Sequence, residues 1–99
     1  MKHLAPLLTL ASLALIFAMA APAQAACYAD YKAKQDNPLR LHYGVAELPD
    51  KACDKASAKA ALSRRLARDG WTLLNIVSIF GPEGLDSRKA SAGQNFLRY

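Results

Sequence analysis

Histidine and cysteine are scarce in this chain, and their scarcity limits the chemistry it can carry. Only two histidines occur in 99 residues, and His3 stands at the extreme N-terminal end. His42 is the sole imidazole of the remainder. A metal centre needs three or four ligands, and an activated nucleophile needs a base beside it. Asp30, on a neighbouring predicted strand, is the one carboxylate placed where it could approach His42. Otherwise His42 reads as a polar residue on the open face of a sheet. The two cysteines, Cys27 and Cys53, lack the Cys-x-x-Cys spacing of a redox-active pair. Gly81-Pro82-Glu83-Gly84 has no lysine in the frame of a phosphate-binding loop. The carboxylates Asp30, Asp36, Glu47, Asp50, Asp54, Asp69, Glu83 and Asp86 are scattered, whereas paired-acid hydrolysis needs two of them across a cleft. Internal repeats are absent. With no catalytic constellation, the chain reads as a non-enzyme with no metal and no cofactor.

What the chain does have begins at its start. Met1-Lys2-His3 is short and basic, Leu4 to Ala20 is an almost unbroken apolar run, and Ala21-Pro22-Ala23-Gln24-Ala25-Ala26 is small and helix-breaking. This is the order of a secretory signal peptide. Residues 1–25 are therefore expected to be removed, leaving a single small domain over residues 26–99 that is periplasmic or secreted. Ala23-Gln24-Ala25 fits the cleavage pattern, and so does Ala21-Pro22-Ala23. Two rival readings exist. A largely apolar run of seventeen residues is at the short limit for a membrane span. A lipid anchor on Cys27 would want an apolar residue where Gln24 stands. The expected mature protein has no stable membrane span.

A domain this short buries only about 60% of the surface its unfolded chain exposes, so a covalent staple is valuable. Both cysteines lie in the exported part, and an oxidising compartment favours one Cys27–Cys53 bridge. Closing a loop of that length stabilises by about 3.5 kcal/mol in the chain-entropy account. The formal charge of +5 becomes +4 without Lys2, 12 basic against 8 acidic side chains. That balance favours anionic envelope surfaces, acidic polymers or acidic proteins. Nucleic-acid binding would want more charge, interleaved aromatics and an intracellular address, so no nucleic acid is expected.

The local patterns give an α+β domain in the order β-β-α-β-β. A strand over Cys27–Lys34 is followed by turn chemistry at Gln35-Asp36-Asn37-Pro38. Leu39 to Leu48 alternates, with Leu39, Leu41, Tyr43 and Val45 on one side and Arg40, His42, Gly44 and Ala46 on the other. Asp50 or Asp54 caps an alanine-rich helix running to about Asp69, with Leu62 and Leu66 on one face. Arg64, Arg65 and Arg68 in its last turns complement the helix dipole. Asp69-Gly70-Trp71 fits a glycine stop in which Leu66 and Trp71 meet. Trp71 to Phe80 is apolar on both faces, Leu73, Val77 and Ile79 against Leu74, Ile76 and Phe80, and reads as a central strand. Gly81–Gly93 has loop composition. Gln94–Tyr99 reads as a short fourth strand. One helix packed on a four-stranded, antiparallel-rich sheet is the expected architecture.

The stretch Ala61–Val77, with its helix, Gly70-Trp71 step and apolar strand, resembles a family of small bacterial domains, domain of unknown function 4177. Tyr31-Lys32 and Phe96-Leu97-Arg98 fit the same pattern. The resemblance implies a fold; the family has no established activity, so it carries over no functional residues.

These readings converge on an exported, disulfide-stapled domain that acts by binding an envelope protein or an anionic envelope component. The expected surface is the open sheet face with Tyr31, Arg40 and His42, together with the Gly81–Gly93 loop carrying Arg88 and Lys89. An inhibitor of an exported hydrolase, using that loop, is the alternative; an enzyme of unrecognised type is the third reading.

Overall fold

A computed structural model describes residues 26–99; the expected signal peptide lies outside the described residues. Three strands, β1 (Cys27–Gln35), β2 (Arg40–Leu48) and β3 (Thr72–Phe80), form one antiparallel sheet in the order β2-β1-β3. Helix α1 (Lys55–Ala67) lies between β2 and β3 in sequence, and a second helix, α2 (Asp86–Ala92), follows β3. Among the described residues no helix is long and apolar enough to cross a membrane.

The α+β class and the β1–β2 hairpin agree with the sequence reading; the strand order does not. β1, not the apolar β3, is the central strand. Backbone pairing on both edges makes a strand central, and β1 pairs over nearly its whole length with β2 and β3. β3 is an edge strand whose register slips twice, opposite Asp30/Tyr31 and Lys32/Ala33. Each slip inserts an extra residue, Val77 and then Leu74, and reverses the alternation that follows. Leu73, Ile76 and Ile79 thereby pair beside Ala33, Tyr31 and Ala29 on a single face. Val77 and Leu74 are left 41% and 47% exposed.

Helix α1 packs on the face bearing Ala29, Tyr31, Ala33, Ala46 and Leu48, through Ala58, Leu62 and Leu66. Small residues on both elements permit that approach. Asp54 is the N-cap and accepts from the Ser57 amide at 2.9 Å, while Asp50 opens a separate 3-10 turn, Asp50–Ala52. At the other end the Trp71 amide donates to Leu66 O and the Gly70 amide to Ala67 O, both at 3.0 Å, with Gly70 at φ +80°. These are the two bonds of a Schellman stop, which needs a left-handed residue at the glycine position.

Tyr31 is fully buried beneath this helix, directly opposite Gly44 on β2. A methyl group built on Gly44 would stand 2.6 Å from Tyr31 Cζ. Gly44→Ala is therefore expected to cost about 1–3 kcal/mol by overpacking, read as a lower urea midpoint with an unchanged slope.

The opposite face is covered in part by α2. The Gly81–Gly93 segment, expected as a loop, forms a 3-10 turn (Pro82–Gly84) and then α2, which packs against β2. The expected fourth strand is likewise replaced. Residues Gly93–Asn95 make a 3-10 turn, and only Phe96 bridges Val45, in parallel. Leu97, at φ +57°, turns the backbone out of the extended region immediately after the bridge. Its amide still donates to Val45 O at 2.8 Å.

Cys27, at the start of β1, and Cys53, just before the α1 cap, form the expected disulfide. It occupies the Cys27 sulfur that a lipid anchor would require.

Candidate functional site

Two polar constellations flank the sheet, one on each face. The first centres on Asp30, on the face opposite α1. Its carboxylate is buried and accepts from Ser78 Oγ at 2.6 Å, Tyr43 Oη at 2.8 Å and Arg88 Nε at 3.1 Å. Arg88 also donates to Gly84 O at 2.8 Å, and its guanidinium lies 3.8 Å from the Phe80 ring centroid. Burial pushes the Asp30 carboxyl up, but the bonds from Ser78, Tyr43 and Arg88, with the Arg88 charge, together hold it below the usual carboxylate range. The Tyr43 hydroxyl is pushed up to about 12, by burial first and then by Asp30. Both carboxylate oxygens of Asp30 are engaged, and the cluster fastens α2 to the sheet. Arg88 is correspondingly withdrawn from the expected binding surface, while Lys89 stays exposed beside Phe96.

The second constellation is a cleft of about 550 Å³ at the end of the α1 face. It forms where three chain segments meet: the β1–β2 hairpin end with Gln35, Arg40 and His42; the α1 stop with Asp69 and Trp71; and the tail with Gln94, Asn95, Arg98 and Tyr99. Its volume lies within the roughly 300–1,000 Å³ range of small-molecule pockets.

His42 lies within an aromatic cluster at this cleft. Its ring meets Trp71 edge-to-face at 4.3 Å and stacks near-parallel with Tyr99 at 5.8 Å. His42 Nε2 and the Tyr31 hydroxyl are 2.9 Å apart. Burial, reinforced by the Arg98 charge, lowers the His42 pKa below its ordinary value of 6.5. Burial raises the Tyr31 hydroxyl above its ordinary range, and neighbouring Tyr99 adds to this.

His42 is thus neutral in the fold near neutral pH. A depressed histidine contributes stability above its unfolded pKa and loses it as pH falls through that value towards the folded one. Stability is expected to decline below about pH 6.5. The decline should vanish in His42→Gln, as measured by urea unfolding at several pH values between 7.5 and 5.

The structure keeps Arg40 and His42 together at one cleft, but on the α1 side of the sheet rather than its open face. The register explains it: His42 pairs with Ala33 and Gly44 with Tyr31, and both pairs face the helix. The residues that looked like the buried set point the other way, with Leu39 and Leu41 each 66% exposed. Tyr31 lies beneath the cleft with no exposed surface. Asp30 does not approach His42, because it occupies the opposite face. Sequence reasoning missed Arg98, Tyr99, Gln94 and Asn95, having assigned them to a fourth strand. The adjacent cation and aromatic at Arg98-Tyr99 were the available signal.

No family model, no curated protein and no solved structure matches this chain.

Proposed function

We propose that this is a small exported binding domain that takes an anionic group of an envelope component into the Arg40–Arg98 cleft. The carrying observation is a pair of arginines beside an aromatic cluster, neither of them in an ion pair among the described residues. Arginine presents a planar fork of donors that suits carboxylate and phosphate alike. The disulfide and the signal pattern of residues 1–25 support an oxidising, exported setting. Trp71, just beyond the α1 stop, supplies one wall. The segment that the inhibitor alternative would use holds α2, which Arg88 and Asp30 fasten to the sheet.

Co-sedimentation of the full exported chain with isolated envelope fragments tests this reading. Arg40→Glu combined with Arg98→Glu is expected to weaken retention at least tenfold. Lys32→Glu combined with Lys34→Glu, on the far face, carries the same change in net charge and should have little effect. Equal losses from both pairs would reduce the association to net charge and remove the cleft from the reading.

A further inference from the structure

We infer that the anionic group received by the cleft belongs to an acidic sugar, a pyranose bearing one carboxylate. This rests on the reading of the cleft as the binding site and names its ligand class.

Trp71 stands nearly perpendicular to His42, at 80°, while Tyr99 runs nearly parallel to it, at 16°. Trp71 and Tyr99 therefore make an aromatic corner rather than a parallel slot. One flat apolar wall suits the C–H face of a sugar ring; a slot for a planar base would need two parallel ones. Three carboxamides, Gln35, Gln94 and Asn95, line the same cleft. A carboxamide both donates and accepts, and so does a sugar hydroxyl, whereas a simple inorganic anion only accepts. Asp69 also lines the cleft. It would repel a doubly charged phosphate or sulfate more than a single carboxylate, and it can accept from a hydroxyl. Arg40 and Arg98 supply the guanidinium donors that a ring carboxylate would reach.

Trp71 is the only tryptophan of the chain, so its emission reports on the cleft directly. The full exported chain, purified without reductant, would be titrated with glucuronate, galacturonate and N-acetylmuramate. Glucose and N-acetylglucosamine serve as neutral counterparts, and penta-glutamate as an acidic peptide. At least one acidic sugar is expected to change Trp71 emission saturably, with Kd at or below about 1 mM. The neutral sugars should bind at least tenfold more weakly, and Arg98→Gln should weaken the acidic sugar about tenfold. Asn95→Ala, with both arginines retained, is expected to weaken acidic and neutral sugars alike, which a purely ionic site would not show. Neutral sugars binding as well as acidic ones would overturn the inference. So would saturable binding of penta-glutamate with no sugar response, although the cleft would then stand as an anion-binding site. Silence from every probe would remove both the sugar and the cleft.

Discussion

Replacing Asp30 by alanine is expected to remove about 3–5 kcal/mol of stability, the usual cost of breaking a buried ion pair by deleting one partner. The size follows from what is left behind. Arg88 keeps its position over Phe80 and its bond to Gly84 O, but loses its counter-ion. Tyr43 and Ser78 each lose the acceptor for a part-buried hydroxyl. Both stand on the flanking strands, so Asp30 links β2, β3 and α2 through one carboxylate on β1. Docking of α2 should fail first, seen as faster amide exchange in Asp86–Ala92 ahead of the β1–β2 hairpin.

The same residue sets an acid limit. A carboxyl held below its unfolded value contributes fully above about pH 4. That contribution is lost as pH falls from there through the folded value. Asp30→Asn keeps the shape but not the charge, and should flatten the acid limb of the stability curve. An unchanged limb would mean that the acid sensitivity resides elsewhere. The His42 effect occupies a separate window, beginning near pH 6.5, so the two contributions can be resolved in one pH series.

Removing the Cys27–Cys53 disulfide, by Cys27→Ala with Cys53→Ala, is expected to cost about 3.5 kcal/mol from the loop it closes. The bridge spans a sequence separation of 26 that contains the whole β1–β2 hairpin. It joins the first residue of the central strand to the residue before the α1 cap. Without it, the unfolded chain regains the freedom of that loop, and both ends can fray. Domains of this size have total stabilities of roughly 4–11 kcal/mol, at about 0.05–0.15 kcal/mol per residue. A loss of this size is therefore a large share of the total. It corresponds to a fall in melting temperature of roughly 14–28 °C at about 4–8 °C per kcal/mol. Calorimetry of the oxidised protein and the double variant measures it directly. A shift of only a few degrees would mean that the core of Tyr31, Leu62 and Leu66 holds the fold alone.

Several features were legible before any coordinates because their physics is local. An aspartate before an alanine-rich run satisfies an orphan amide wherever that helix ends up. Gly70 takes the left-handed conformation because side chains resist it. Asp36-Asn37-Pro38 turns the chain for reasons contained within three residues. Two cysteines leave one internal pairing. These are the features that recurred in the fold: the Asp54 cap, the Gly70-Trp71 stop, the hairpin turn and the bridge.

Partnership across the fold decided the rest. β3 has the composition of a central strand, yet it lies at the edge, and two bulges bring Leu73, Ile76 and Ile79 to one face. Nothing in Trp71–Phe80 alone specifies those bulges, because they arise from pairing with β1. Tyr31 reads as a surface aromatic until Gly44 is set opposite it and α1 is laid over both. The polar segment around Arg88 becomes a helix once Asp30 waits beneath it, a contact across 58 positions of sequence. The cleft is as far from local sequence, since its arginines, Arg40 and Arg98, are likewise 58 residues apart. The sequence by itself determined the helix, its two ends, the turn and the staple, because each follows from a few neighbouring residues. Only the tertiary structure decided which strand is central, which face α1 covers and that Arg40 and Arg98 line one cleft, because those depend on pairings between distant segments.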